Sequence, residues 1–317
     1  MRPRFTRQLI EFKMSKGLKY HGAVVPLVTP LTSGGAVDEP ALAKLVELQV
    51  KGGVAGIFVL GTTGEGAYVP RESRRRLVEQ SVILAGKRTK VFAGLGDIRL
   101  SDLSEANEYI RAGVDAVVAH PPVTEKVAAE NLGGWFRTLL DRIQGPVLLY
   151  NMPMTTGVSI PLDVVEQLLG HPHLVGIKDS ENDPKRHEEL LKRFGGRQEF
   201  SIFIGVGALM QQGLKMGADG IVPSVGNLIP DVCHQLCASA AKADWDGAEK
   251  YSARMSAVAA LYQHGRNLNE SLSALKAAMH LRGLCASEVM PPLRQVSDTE
   301  MEKIRRQMTE LHLLNGN

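Results

Sequence analysis

VKGGVAGIFVLG (50–61), IRAGVDAVVAHP (110–121) and LKMGADGIVPSV (214–225) are three versions of one joint: a helix end, a glycine, then a buried strand. The glycine suits the left-handed turn that closes a helix. The same joint at three places argues for one repeating architecture rather than two unlike domains.

Outward from these joints, apolar runs rich in Val and Ile recur along the chain. They are AVVPLVTP (23–30), AGIFVLG (55–61), KVFAGLG (90–96), DAVVAHP (115–121), PVLLYNMP (146–153), LVGIKDS (174–180), FSIFIGVG (200–207) and GIVPSVG (220–226). They are apolar throughout, not alternating, as strands buried on both faces are. Helical patterns fill the gaps at 38–52, 70–87, 101–112, 125–142, 161–169, 183–194, 208–216 and 228–241, with Asp38, Ser101 and Asp183 placed to cap. Eight β/α units predict an α/β fold, a (β/α)₈ TIM barrel, over residues 17–243. A doubly wound sheet is the alternative, but the first βα turn, TPLTSGG, lacks a phosphate-binding fingerprint. Residues 244–317 hold only helical patterns, at 245–264, 269–283 and 297–312. They are expected as a C-terminal helical bundle packed on the barrel within the same domain.

The chain has 317 residues, 44 % hydrophobic and 22 % charged, a globular composition. No apolar run approaches the roughly 20 residues of a membrane span. The net charge of +3 is concentrated at one end. Residues 1–21 carry six of the 37 basic and one of the 34 acidic residues, leaving 31 and 33 in the body. A near-neutral body has no basic footprint for nucleic acid. Residues 1–16 lack the apolar core of a secretory signal. They read either as a transit peptide or as an over-long start with Met14 as initiator, and stand apart from the fold. Three cysteines are too few for a disulfide framework and suggest a reducing, cytoplasmic setting. Cys233, His234 and Cys237 could in principle meet on a metal, but buried core thiols are the simpler reading.

Active sites of such barrels lie at the C-terminal ends of the strands. Lys178 stands there on strand 6. Pointed into the barrel mouth, an amine that has lost its hydration is a nucleophile for ketones; pointed outward, it would only reach solvent. The GTTGE turn (61–65) after strand 2 offers N–H groups and hydroxyls suited to a small carboxylate, or is a plain βα turn. Tyr150 ends strand 5, where a phenol beside an amine can relay protons. His120 is a further acid or base candidate. Gly205-Val206-Gly207 and Gly226 fit a phosphate site after strands 7 and 8, so a phosphorylated substrate is a rival.

GTTGE, YNMPMTTG (150–157) and GIKDS (176–180), with GAVVPLVTPL (22–31) and GADGIVPSVGN (217–227), resemble the dihydrodipicolinate synthase/N-acetylneuraminate lyase family from about residue 20 to about 312. The resemblance implies a TIM barrel, a homotetramer, pyruvate chemistry, and no metal or organic cofactor. It makes Lys178 the Schiff-base lysine and Tyr150 the proton-relaying phenol. Gly61, Thr62 and Thr63 hold the substrate carboxylate, the Thr62 hydroxyl links to Tyr150, and the Val222 carbonyl lies near the Schiff base.

Two departures bear on the substrate. The synthases usually carry an arginine in the loop after strand 5, where Thr155 stands here, and a threonine cannot make the bidentate charged pair of an arginine. They also place a tyrosine after strand 4, where this chain reads His120-Pro121-Pro122-Val123. GIKDS looks more like the sugar-acid aldolases than the GIKEA typical of the synthases. The expected activity is therefore pyruvate-dependent aldolase cleavage of a hydroxylated 2-oxo acid, of the 2-keto-3-deoxy sugar acid or 4-hydroxy-2-oxoglutarate type. The alternatives are a synthase condensing pyruvate with aspartate semialdehyde, and a non-catalytic barrel that binds a 2-oxo acid. The aldehyde half of the substrate is expected to meet Thr155, His120 and Ser224.

Overall fold

A computed structural model describes residues 20–125 and 127–314, so the expectation for residues 1–16 lies outside the described residues. Eight parallel strands close into a barrel in sequence order: β1 Gly22–Pro26, β2 Gly56–Val59, β3 Lys90–Gly94, β4 Ala116–Ala119, β5 Val147–Asn151, β6 Leu174–Asp179, β7 Ser201–Ile204 and β8 Gly220–Ile221. Seven of them fall inside the run that the sequence marks, and β1 begins one residue before its run, at Gly22. The last is shorter than expected, because residues 224–227 coil into a 3₁₀ turn.

Around the barrel run α1 Glu39–Lys51, α2 Arg71–Ala85, α3 Ser104–Ala112, α4 Leu132–Arg142, α5 Pro153–Thr156, α6 Leu162–Leu168, α7 Pro184–Phe194, α8 Met210–Lys215 and α9 Pro230–Ala241. Two expected caps form: Asp38 accepts from Ala41 N at 3.0 Å and Asp183 from Lys185 N at 2.9 Å. Ser101 does not cap; α3 starts three residues later, where Asp102 accepts from Ser104 N. At the repeated joint, Gly53, Gly113 and Gly217 have φ of 72°, 99° and 98°. An L-residue in that region costs about 1–2 kcal/mol.

The core has two layers. Val24, Phe58, Phe92, Val118, Leu148, Tyr150, Phe203 and Val222 fill the barrel interior. The larger cluster lies between strands and helices. The C-terminal helices α10 Trp245–Gln263, α11 Leu268–Leu281 and α12 Asp298–Glu310 join that outer cluster through Val258, Leu275, Met279, Ile304 and Met308. Burying these side chains against the barrel's own shell makes the helices an extension of one core. Among the described residues, no helix is long and apolar enough to cross a membrane.

Candidate active site

The inward direction of Lys178 depends on an irregularity in β6. Leu174 pairs with Val147 and Gly176 with Leu148, so Val175 is an extra residue opposite one step of β5. A bulge of this kind shifts the facing of every residue beyond it. Leu174 belongs to the outer cluster, while Val175 packs on the barrel interior. Beyond the bulge, Ile177 faces out and Lys178 faces in, level with Tyr150 on β5. Gly176 makes the bulge possible. A Cβ there would stand 2.2 Å from Ser201 O and 3.0 Å from Leu148 Cδ1.

Lys178 is 5 % exposed. Its Nζ lies 4.0 Å from the centroid of the Tyr150 ring and 5.0 Å from that of Phe58. Phe58 and Tyr150 meet edge to face, centroids 6.2 Å apart, so each fixes the other's ring. Beneath the amine is a small apolar space lined by Val24, Phe92, Val118, Leu148, Phe203 and Val222. Among the described residues, Nζ has neither a carboxylate nor a hydrogen-bond acceptor. The other buried lysine, Lys276, is paired with Glu65 and bonded to Glu288 O. An unpaired ammonium is costly to bury, so a lysine set among aromatic faces with no charged partner among the described residues is hard to explain by structure alone.

The Tyr150 hydroxyl lies 3.3 Å from Thr62 Oγ1. That is long for an O–H···O bond. Around the GTTGE turn, Gly64 N and Gly66 N donate to Gly61 O, and Glu65 N donates to Thr62 O. Among the described residues, the N–H groups of Thr62 and Thr63 and the Thr63 hydroxyl have no intramolecular partner. Gly61 admits no side chain, since a Cβ would come 2.7 Å from the Phe58 ring. The structure thus brings Lys178, Tyr150, Thr62 and Val222 to one end of the barrel.

Thr155 lies on α5, a single turn where a loop is expected; it is exposed, and its hydroxyl bonds Met152 O at 3.2 Å. His120 turns Nδ1 to Pro121 O at 2.6 Å, and burial holds its pKa below the ordinary imidazole value. Cys233 is wholly buried in the outer cluster, where burial pushes its thiol pKa up. Among the described residues, no group of three His, Cys, Asp or Glu side chains could hold a metal ion.

Ser180 is absent from the sequence-based site, and Gly205 figures there only as part of a phosphate site. A Cβ on Gly205 would fall 2.0 Å from Ser180 Oγ and 3.1 Å from Lys178 Cε, so the serine hydroxyl stands beside the lysine. The signal was present in GIKDS, since residues two apart on a strand share a face. From Gly205 opens a cavity of about 500 Å³. Ser224, Ser252, Ser256, Tyr262, Gln263 and His264 supply its polar lining, and among the described residues no Asp, Glu, Lys or Arg reaches it. Ser224 Oγ and Tyr262 OH bond at 2.7 Å across it.

Behind Lys178, the outward Asp179 anchors β6. Its carboxylate accepts from Arg186 Nε at 2.8 Å, Glu181 N at 3.0 Å and Asn151 Nδ2 at 3.1 Å, and faces His187 Nε2 at 3.3 Å. Burial opposes ionisation. The His187 bond, the Arg186 charge and the Glu181 N–H outweigh it and hold the carboxyl below the usual range. Asp179→Ala, which leaves Arg186 with Glu181 at 3.3 Å and Ile160 O but takes the acceptor from Glu181 N, is expected to cost about 1–3 kcal/mol at pH 7. Because the folded pKa is depressed, this contribution is full above the unfolded value of about 3.9 and fades as pH falls through the folded one. Urea unfolding of both proteins should show the gap narrowing below about pH 4; a constant gap would mean the loss is packing alone.

The profile of the Dihydrodipicolinate synthetase family matches residues 19–311. A 4-hydroxy-tetrahydrodipicolinate synthase of Phenylobacterium zucineum is 31 % identical over 300 residues, 93 % of this chain and 98 % of that one. A dihydrodipicolinate synthase structure from Bacteroides thetaiotaomicron superposes with a TM-score of 0.86 at 27 % identity, covering 92 % of this chain and 98 % of that one. A prophage protein of the dihydrodipicolinic acid synthase family from E. coli K12, solved with pyruvate, gives 0.86 at 25 % identity, covering 93 % and 99 %. Fold, motif order and matched span agree, and the chain belongs to the dihydrodipicolinate synthetase family of class I aldolases.

Proposed function

We propose that the chain is a pyruvate-dependent lyase that cleaves a hydroxylated 2-oxo acid, of the 2-keto-3-deoxy sugar acid type, through a Schiff base on Lys178. The observation that carries the reading is the buried Lys178 amine, without a counter-ion among the described residues, over the ring of a tyrosine whose hydroxyl meets Thr62. Thr62 and Thr63, with Gly61, take the substrate carboxylate, which aligns the ketone with the amine. The amine attacks C2, and Tyr150 protonates the carbinolamine hydroxyl, which leaves as water. The resulting iminium is the electron sink, so the chemistry asks for no metal or organic cofactor. Tyr150, now ionised, takes the proton of the C4 hydroxyl. The C3–C4 bond breaks, its electrons pass to the iminium as an enamine, and the aldehyde departs. Protonation at C3 and addition of water release pyruvate. The Val222 carbonyl borders this sequence of steps.

The lining of the cavity beside Gly205, hydroxyls, an amide and an imidazole without Asp, Glu, Lys or Arg among the described residues, supports an aldehyde half that carries hydroxyls rather than a second charge. It favours a sugar acid over 4-hydroxy-2-oxoglutarate, whose second carboxylate would find no Lys or Arg there. The same feature weighs against phosphorylated substrates. Thr155, in place of an arginine, weighs against aspartate semialdehyde. The second reading is the synthase itself, favoured by the names of the relatives at about 30 % identity. The test is a rate panel on purified protein: 2-keto-3-deoxy sugar acids with and without phosphate, 4-hydroxy-2-oxoglutarate, and pyruvate with aspartate semialdehyde. Cleavage of an unphosphorylated sugar acid is expected to be fastest. Condensation with aspartate semialdehyde at a rival rate would make the chain a synthase. A homotetramer and a cytoplasmic setting belong to the same reading through the family resemblance.

A further inference from the structure

We propose that Glu65 and Lys276 form a strut from the C-terminal helices to the GTTGE turn that holds Thr62 and Thr63 in their carboxylate-binding shape. Both would then be positioning residues for the Schiff-base reaction. The inference rests on the reading of Lys178 and the turn given above.

The pair is fully enclosed, with both side chains 1 % exposed and Nζ 2.5 Å from Glu65 Oε1. Each partner is also tied to the segment after α11: Met290 N donates to Glu65 Oε2 at 2.6 Å, and Lys276 Nζ donates to Glu288 O at 2.6 Å. Glu65 carries a φ of 56°, and Leu60, at the other end of the turn, 58°. Side-chain-bearing residues adopt that conformation only when their surroundings impose it. Glycine would hold it at less cost, so the glutamate is there for its carboxylate. The turn is wound tightly about that residue. Glu65 N donates to Thr62 O, and Thr29 Oγ1 bonds Gly64 O at 2.5 Å. A Cβ on Gly66 would lie 2.0 Å from Leu60 O.

Stability alone does not ask for this pair, because apolar side chains of the same volume often fill such a place as well. What an apolar pair would not supply is direction. The carboxylate pulls the backbone of residue 65, and with it the Thr62–Glu65 bond, towards α11. The two threonines that meet the substrate are thereby referenced to a helix outside the barrel.

The test uses borohydride trapping at Lys178, read by mass spectrometry, with two ketones: pyruvate, and acetone, which lacks the carboxylate. Glu65→Ala is expected to raise the half-saturating pyruvate concentration by about tenfold or more while acetone trapping stays within about twofold. Lys276→Met should do the same from the helix side and serves if Glu65→Ala does not fold. Glu65→Gln keeps one oxygen for Lys276 or for Met290 N but turns its amide N–H₂ on the other donor, so it should raise the half-saturating pyruvate concentration by less than Glu65→Ala does. Unchanged pyruvate saturation in Glu65→Ala and Lys276→Met, or an equal loss for both ketones, would overturn the strut. Failure of the wild-type chain to trap pyruvate at Lys178 would instead remove the reading of the site, leaving the strut nothing to position.

Discussion

Lys178→Ala is expected to eliminate pyruvate trapping and to lower turnover by about 10⁴-fold or more, since no other step in the scheme makes a covalent bond to the substrate. The same variant should fold with a stability close to that of the wild type. Among the described residues nothing pairs with Nζ, so its removal strands no carboxylate. The void left by the side chain adds to an interior already lined by Phe58, Leu148 and Phe203, with a modest packing loss. Thermal melting and borohydride trapping on one preparation check both halves. A lysine kept for structure predicts the opposite pairing, with melting reduced and turnover nearly intact. Turnover within about tenfold of wild type would place the chemistry elsewhere.

Why that outcome was only partly visible in the sequence is a matter of parity. Eight apolar runs and the glycine joints at 53, 113 and 217 make the barrel readable, because helix ends and doubly buried strands leave local marks. Placing Lys178 at the end of β6 is equally local. Its direction is not. Counting by twos from the outward Leu174 puts Lys178 outside the barrel, and only the extra residue at Val175, admitted by Gly176 against Ser201 O, turns it inward. The family motif supplied that answer where periodicity would have given the wrong one. Contacts across long stretches of chain left no local mark at all. Glu65 and Lys276 are each ordinary in their own segment, and Asp179 reads as a strand-end charge until Arg186, His187 and Asn151 are seen around it. The single turn of α5 is hidden for a similar reason: Pro153 opens it and Gly157 closes it within four residues, too short for any periodic pattern.

The phenol tests the chemistry without disturbing the scaffold. Tyr150→Phe keeps the ring under Lys178 Nζ and its edge on Phe58, so the packing that holds the amine survives. Only the hydroxyl goes, together with its 3.3 Å contact to Thr62. Losing one such bond is expected to change stability by no more than about 1 kcal/mol. The kinetic loss should be far larger. Both dehydration of the carbinolamine and removal of the C4 proton pass through that oxygen, and a positioned acid or base contributes about 10²–10⁴-fold. Because the carboxylate contacts of Thr62 and Thr63 remain, the drop is expected in kcat, with KM for the 2-oxo acid little changed. Trapping should become slower at saturating pyruvate yet reach the same final extent, since Lys178 is still present to form the bond. Steady-state kinetics and a trapping time course separate these effects. A Tyr150→Phe protein with wild-type kcat, or one whose loss lies wholly in KM, would reduce Tyr150 to a ring that supports the lysine and would move proton transfer to another group at the barrel mouth.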